Sequence, residues 1–292
     1  MVTSQIIEPL TNSFTTCSLN NYSILCLTVK SIVNNNYDDV NKKIIIQSLL
    51  PIFQQIIPSR IQYIFESSHI LLLATIKMIK KVFKYLSNEI SIEDISNIID
   101  ILFTIFRGNV YSILTSNNDA IISCLNTFIK IIVFYTKVYS ERDDIDEDIY
   151  QMIMLNAFTF CSEDIYKTLS EITIGNETFR TCFSLLFTVI DCHWDLVNSS
   201  QDFFDMSVAM ILTGLKQKDI EMVRELIKMI LNVNYKHKVF KHEYFINHSI
   251  QFAYTLLSLI ELNEHSSEEL ILLFYTIITS TQDPILFITN VC

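Results

Sequence analysis

Glycine and proline are scarce in this chain, and their scarcity constrains the fold more than any other feature. Only 3 glycines and 4 prolines occur among the 292 residues, whereas globular proteins average roughly 7% glycine and 5% proline. β-Hairpins, Rossmann loops and P-loops need these residues in their tight turns. Because 50% of the residues are hydrophobic, the chain can still bury a large core. The composition therefore predicts an all-α protein.

The apolar residues recur at the spacing of an α-helix. Isoleucine favours strands, but a period of about 3.6 residues outweighs the propensity of single residues. The clearest helix is predicted at 91–107, where the Ser91 hydroxyl can cap the first turn. Glu93 and Asp94 lie at its positive end and Gly108 follows its last turn. These signals agree with each other, and the same signals are used to predict the other helices.

The same criteria predict eleven helices. They are expected near 19–33, 39–57, 68–87, 91–107, 118–139, 146–161, 178–197, 200–216, 218–233, 241–262 and 266–281. Paired helices would start roughly every 40 to 60 residues, which suits the two-helix HEAT unit. Stacking of such pairs buries their inner faces and produces a curved solenoid.

We therefore predict one domain, 1–292, built as an α-solenoid of antiparallel HEAT-like helix pairs, with about five or six pairs in a right-handed stack. Pro51 is predicted to kink or break its helix. Four apolar residues are predicted to be buried between neighbouring repeats: Phe183, Leu186, Ile227 and Ile230.

The charge of the chain limits its partners. Charged residues make up 18% of the sequence and the net charge is −11, so phosphate backbones are repelled and basic proteins are favoured. The acidic segment at 141–148 has the carboxylate density of a calcium loop but lacks its central glycine and its terminal glutamate. It is interpreted as a solvated loop or, alternatively, as a docking site for a basic partner.

A membrane protein and a protein stabilised by disulfides are also disfavoured. The most apolar windows, at 70–76, 121–135 and 270–278, are too short or are interrupted by lysine. The N-terminus shows no secretory signal, so a soluble intracellular protein is expected. The seven cysteines never form a CxxC pair and are interpreted as reduced core residues.

Three groups of polar residues were weighed as chemical sites. His237, His242 and His248 are close in sequence but lack a complete metal-ligand pattern, and are expected to be solvated or to flank helices. Cys192 and His193 suggest a nucleophile and a base, but neighbours on a helix point apart, and core packing is the preferred interpretation. No catalytic residue, metal ligand or cofactor is therefore predicted.

A basic run lies on the helix predicted at 68–87. Lys77, Lys80, Lys81 and Lys84 share one face by the i, i+3, i+4, i+7 rule. A solvated outer face is the ordinary explanation. The alternative is a contact with an acidic partner, such as a small GTPase or the acidic segment.

The residue identities in the C-terminal part point to a family more specifically than its helical pattern does. Arg180, Thr181, Phe183, Leu185 and Leu186 form an Arg-Thr-x-Phe-x-Leu-Leu helix. The segment at 240–250, FKHEYFINHSI, carries a Phe-x-x-x-Tyr-Phe pattern, and LFYTIITSTQDPILF follows near the end. In these blocks and in their order the chain resembles the C-terminal HEAT repeats of the exportin one family. These are the chromosome-region-maintenance karyopherins of the importin-beta superfamily, and the likeness is strongest over 178–292.

The resemblance implies a nuclear export receptor, or a fragment of one, that shuttles through the nuclear pore between nucleus and cytoplasm. The implied partners are a Ran-type small GTPase, cargo proteins with leucine-rich nuclear export signals, and nucleoporins, without direct nucleic-acid binding, membrane insertion or catalysis. In that family the export-signal groove lies upstream of the matched part, so no cargo-contact residue is assigned. The alternative is an unrelated HEAT-type scaffold for the assembly of protein complexes.

Overall fold

The computed structural model describes most of the chain. The described residues are 19–34, 38–86, 90–140, 147–172, 174–217, 219–262, 268–281 and 284–291. Every regular element within them is a helix, and none of them is in a strand. The all-α prediction is therefore confirmed for this part of the chain. Contacts divide the chain into two compact units, 1–156 and 157–292, and the prediction of one continuous solenoid domain stays a prediction.

Unit 1 begins with α1 and reaches into α7. Its helices are α1 (Leu19–Asn34), α2 (Asp39–Ser67), α3 (His69–Leu86), α4 (Ile92–Phe106), α5 (Val110–Thr115), α6 (Asp119–Tyr139) and α7 (Glu147–Thr159). The last of these crosses the boundary between the units.

Unit 2 contains the remaining elements. They are a π-helical turn (Phe160–Ile165), α8 (Tyr166–Glu171), α9 (Asn176–Cys192), α10 (Trp194–Asn198), α11 (Gln201–Leu215), α12 (Ile220–His237), two 3-10 turns (Val239–Lys241 and Glu243–Phe245), α13 (Ile246–Leu262), α14 (Glu268–Ser280) and α15 (Pro284–Val291).

The helix ends follow local chemistry where the sequence is clear. The Ser91 hydroxyl accepts a hydrogen bond from the Asp94 amide and donates one to the Asp94 carboxylate, which closes the first turn of α4. Gly108 has a φ of 72° just after the end of this helix, a conformation that glycine adopts without strain. Asp219 accepts hydrogen bonds from the amides of Glu221 and Met222 and caps α12. The predicted starts of these two helices are confirmed to within two residues.

In unit 1 the long helices pack in series, α1 on α3 and α3 on α6. Cys26 Sγ lies 3.9 Å from Thr75 Oγ1, and His69 Nδ1 lies 2.9 Å from Asn118 Nδ2, each across 49 residues of sequence. The second contact joins the starts of α3 and α6. Helix α4 packs against α2. In the pairs α1 and α3, α3 and α6, and α2 and α4, the second helix therefore starts about 50 residues after the first.

Unit 2 shows the same arrangement with ion pairs at its edges. Arg180 Nε lies 2.6 Å from Glu225 Oε2 near the starts of α9 and α12, across 45 residues. Near their ends Asp191 Oδ1 lies 2.9 Å from Lys236 Nζ, again across 45 residues. Because both pairs keep the same interval, α9 and α12 run in the same direction and in register.

The series continues on both layers of unit 2. Helix α12 packs on α14, and Lys228 Nζ lies 3.4 Å from Glu269 Oε1. Helix α11 packs on α13, and His248 Nε2 lies 2.6 Å from Asp205 Oδ1 across 43 residues. The pairs α9 and α12, α12 and α14, and α11 and α13 are thus separated by about 40 to 50 residues of sequence.

The predicted core residues of unit 2 are buried. Phe183, Leu186, Ile227 and Ile230 are each no more than 4% exposed, and the prediction of their burial is confirmed. They lie on α9 and α12, which contact each other. The apolar stripes read from the sequence therefore face the core.

The core of unit 2 is tightest at Gly214 on α11. A Cβ atom placed there would lie 2.5 Å from Phe183 Cζ and 2.7 Å from Leu226 Cδ2. Phe183 and Leu226 are each 1% exposed. The glycine leaves room for the Phe183 ring of α9 and the Leu226 side chain of α12 against α11.

Several predicted helix bounds differ from the structure. Helix α9 ends at Cys192, where His193 leaves the helical conformation with a φ of −131°, so the predicted helix at 178–197 is two helices. The helix predicted at 241–262 begins only at Ile246, after the two 3-10 turns. Helix α12 runs four residues past the predicted end at 233. The short helices α5 and α8 were not predicted, because six residues carry too little periodic signal.

Pro51 does not break its helix. Helix α2 runs without interruption from Asp39 to Ser67, through both Pro51 and Pro58. A proline removes one backbone hydrogen bond and crowds the preceding turn. The remaining turns of this 29-residue helix and its packing against α3 and α4 offset that cost. The predicted end at 57 was therefore wrong by ten residues.

Helix α6 is the one described helix that is long and apolar enough to cross a membrane by length and composition. Twelve of its 21 residues are buried in the protein, and it packs along α3. A core helix passes the same test. Its composition alone therefore does not show that it enters a membrane.

Substitution of Gly214 by alanine is expected to destabilise unit 2 by about 1 to 3 kcal/mol, because the new methyl group overlaps two buried side chains. Urea unfolding followed by circular dichroism measures the change. Gly175→Ala is the control, since a Cβ there meets no atom within 4 Å. Equal midpoints for the two variants would contradict the close approach at Gly214.

Leu186→Ala is expected to cost about 2 to 5 kcal/mol, because it opens a cavity at a side chain that is 0% exposed. Leu272, which is 53% exposed on α14, is the matched control, and its replacement by alanine should change stability by about 0.5 kcal/mol or less. Denaturant midpoints of the two variants are compared. An unchanged midpoint for Leu186→Ala would place this residue outside the core.

Candidate functional site

Unit 2 carries an open groove among its described helices. It has a volume of about 870 Å³ and lies between the end of α11, the first turn of α12 and one face of α13. We call it the α11–α13 groove. Its apolar lining residues are Leu215, Ile220, Val223, Ile250, Tyr254 and Leu259. Its polar lining residues are Lys216, Gln217, Asn247, Gln251, Thr255 and Ser258.

The helical repeat of α13 determines the shape of the groove. The residues that α13 contributes recur at intervals of three or four, from Asn247 to Leu259, which places them on one face. At 1.5 Å per residue this face is about 18 Å long. The groove is therefore long enough to accommodate about three turns of another helix.

The walls of the groove combine buried and exposed apolar side chains. Leu215 and Val223 are buried, whereas Ile220, Tyr254 and Ile250 are 58%, 50% and 42% exposed. Lys216 is the only charged residue among those that line it. Exposed apolar side chains beside neutral amides are typical of a surface that binds an apolar segment rather than an ion.

The sequence did not predict this groove. Ile220, Ile250 and Tyr254 are ordinary members of amphipathic helices, and only the packing of three helices leaves them exposed together. A sequence signal exists only for α13, in which isoleucine and tyrosine occur on the side opposite the buried Phe252 and Leu256.

The histidines near 240 pair with distant residues. His237 Nε2 lies 3.2 Å from Asp191 Oδ1 and stacks on Trp194 with ring centroids 5.2 Å apart. His248 bonds to the Asp205 carboxylate. Both side chains are mostly buried, at 13% and 19% exposure, so they flank helices as predicted but are not solvated.

His242 also packs among aromatic side chains. Its ring stacks on Phe204 at 5.2 Å, and its Nδ1 accepts a hydrogen bond from the Tyr244 amide. His237 and His242 therefore share Trp194 as a neighbour, whereas His248 pairs with Asp205. In the described part of the chain, His, Cys, Asp and Glu side chains do not gather in threes at distances that would hold a metal ion.

Asp191 connects the ends of α9 and α12. Burial raises the pKa of its carboxyl, but hydrogen bonds from Lys236 and His237 outweigh burial, and the pKa is lowered below its usual value. Asp191 is therefore ionised at neutral pH and serves as an anchor for two basic side chains. This role is structural.

Cys192 and His193 lie at the junction of α9 and α10. Burial lowers the pKa of His193 to about 4, so its imidazole is a poor base at neutral pH. Backbone dihedrals change at His193, which separates α9 from α10. The preferred interpretation, core packing, agrees with the half-buried positions of both residues.

The other described cysteines are unreactive core residues. Cys26, Cys124, Cys161 and Cys182 are buried, and burial raises the pKa of Cys124 and of Cys182 to about 12. The nucleophilic thiolate form is then scarce at neutral pH. Cys17 and Cys292 lie outside the described residues.

The acidic segment and the four lysines, both predicted as charged surfaces, belong to different elements. Of the acidic segment, only Glu147 and Asp148 are described, and they lie in the first turn of α7, where the helix dipole favours acids. The rest of the segment, 141–146, lies outside the described residues. The four lysines lie on α3, away from its buried face.

No protein family model, curated protein or solved structure matches the chain. The comparisons therefore leave the family and function open, and both have to be argued from the residues themselves.

Stability is expected to fall as the pH is lowered from 7 towards 4, with His193 as one cause. Its folded pKa of about 4 lies below the value of about 6.5 in an unfolded chain, so the unfolded chain binds the extra proton first in this range. A His193→Asn variant should show a shallower dependence. Thermal unfolding midpoints at several pH values provide the measurement, and parallel curves for the two proteins would contradict the assignment.

Proposed function

We propose that this chain acts by binding other proteins, as a helical-repeat scaffold of HEAT type, and not by catalysis. The α11–α13 groove carries the proposal. Ile220, Ile250 and Tyr254 are exposed there along a face that is about three helical turns long. An amphipathic helix of a partner is the occupant that fits such a groove, because its apolar face can cover all three side chains.

The contact intervals support a solenoid of antiparallel pairs. Helices of one layer run α9, α12, α14 and those of the other run α11, α13, α15, each packed on the next. Contacts spaced by 43 and 45 residues match the length of one HEAT unit. In such folds each unit buries its apolar face only against its neighbours, and the outer surfaces remain open for partners.

The narrower proposal is a nuclear export receptor of the exportin one type, or a fragment of one, that binds a Ran-type GTPase and supports the export of cargo. Its support is the sequence likeness of the C-terminal part. Phe183, Leu185 and Leu186 belong to the matching residues and are buried, whereas Arg180 is exposed and paired with Glu225. The likeness therefore concerns how a repeat packs, and partner binding needs its own test. An unrelated HEAT-type assembly scaffold is the alternative.

Fluorescence anisotropy tests the narrower proposal with two probes, a labelled leucine-rich export peptide and a Ran-type GTPase loaded with a non-hydrolysable GTP analogue. The chain alone is expected not to bind the peptide, and to bind the GTPase weakly through its net charge of −11. The GTPase affinity should weaken as salt shortens the screening length below about 8 Å. Micromolar peptide binding would show that the export-signal groove is present and that the placement of this chain in the C-terminal part of the family is wrong. No GTPase binding at low salt would contradict the export-receptor proposal.

The groove is tested separately, so that the broader proposal can fail on its own. Binding of the apolar dye bis-ANS should drop at least about fivefold in Tyr254→Asp, which places a charge in the groove. Tyr275→Asp is the matched control, because Tyr275 is 62% exposed on α14 and does not line the groove. Equal dye binding by the two variants would show that the groove is not an apolar binding surface.

A further inference from the structure

One face of α3 is densely basic. Lys77, Lys80, Lys81 and Lys84 lie within two turns of this helix, over about 10 Å. We call them the lysine face. Lys77 and Lys84 are exposed, and Lys80 and Lys81 are half-buried. No aspartate or glutamate occurs anywhere in α3, although the chain as a whole has 32 acidic and 21 basic residues.

The lysine face is held rigidly. The opposite side of α3 is buried along its whole length, from Leu72 to Leu86. Helix α6 lies alongside, and the contact between His69 and Asn118 joins the starts of the two helices. The four ammonium groups are therefore presented by a fixed helix and not by a loop.

The four lysines repel each other, and Lys130 on α6 adds to this. Burial lowers the pKa of Lys80, and the charges of Lys130, Lys81 and Lys84 lower it further. None of the ion pairs between described residues involves Lys77, Lys80, Lys81 or Lys84. Like charges at these spacings destabilise a helix, so the folded chain carries a cost that an anionic partner would remove.

We propose that the lysine face is a docking surface for a short acidic segment of a partner protein. Positions i and i+4 of a helix are about 6 Å apart along its axis, and Lys77, Lys81 and Lys84 follow the spacing i, i+4, i+7. A partner segment of two to three turns can therefore pair its acids with the whole face. This surface belongs to unit 1 and does not depend on the groove in unit 2.

A protein partner fits better than a nucleic acid. The face is about 10 Å long, whereas duplex binding draws its affinity from many phosphates along an extended backbone. It also lacks arginine, the residue suited to bidentate recognition of phosphate. The net charge of −11 repels a long polyanion more strongly than a short peptide.

The test uses a fluorescein-labelled helical peptide of about 14 residues with glutamates at i, i+3, i+4 and i+7, and the full chain. Wild type is expected to bind it, and Lys80→Gln/Lys81→Gln/Lys84→Gln to bind it at least about tenfold more weakly. The control is Lys137→Gln/Lys167→Gln/Lys241→Gln, which changes the net charge equally at three scattered, exposed lysines and should lose less than about twofold.

A second readout does not need the peptide. Thermal unfolding of the lysine-face variant should occur at a higher temperature than that of wild type, because the repulsion among buried and neighbouring charges is relieved, while the control variant should not gain. Three results overturn the proposal: no peptide binding by wild type at low salt, equal losses in the two variants, or tighter binding of a single-stranded oligonucleotide of equal charge than of the peptide.

Discussion

The close approach of α11 to α9 and α12 at Gly214 is the contact on which unit 2 depends. Any side chain there would overlap Phe183 and Leu226, so the absence of a Cβ determines how near the layers lie. That distance lets the apolar stripe of α9 meet that of α12, with Leu186 and Ile227 fully enclosed. The ion pair between Arg180 and Glu225, whose side chains are 45% and 44% exposed, contributes little energy. Its effect is to hold the register that the core determines.

The spacing of apolar residues predicted the core well, because residues at helical spacing lie on one face of the helix and that face packs against its neighbours. The stripe from Ile95 to Phe106 on α4 could be read from the sequence, and the structure buries it. Periodicity failed where the backbone changes near or within a predicted helix. The π-helical turn at Phe160–Ile165 begins at the end of one predicted helix, and the break at His193 falls inside another. A pattern of side chains does not record such backbone changes, and it likewise could not show that α2 continues through Pro51.

The lysine face and the α11–α13 groove differ in how far the sequence alone predicts them. The lysine face is local, since four residues of one helix produce it, and spacing alone predicts that they share a side. The α11–α13 groove is not local, because Ile220 and Tyr254 come from different helices. The pairing of His237 with Asp191 is hidden for the same reason, across 46 residues. The histidines are close in sequence, which suggested a common site, whereas the structure places His237 against Asp191 and His248 against Asp205.

The two proposed binding surfaces use different physical forces, and this separates their roles. The groove presents apolar side chains with one charged residue, Lys216, at its edge, so its affinity would come from desolvation and would persist in salt. The lysine face relies on charge and would weaken as salt is added. A chain of net charge −11 attracts basic partners at long range and acidic partners only where lysines are concentrated. An apolar helix of a partner would therefore be bound by unit 2 and an acidic segment by unit 1, each through its own force.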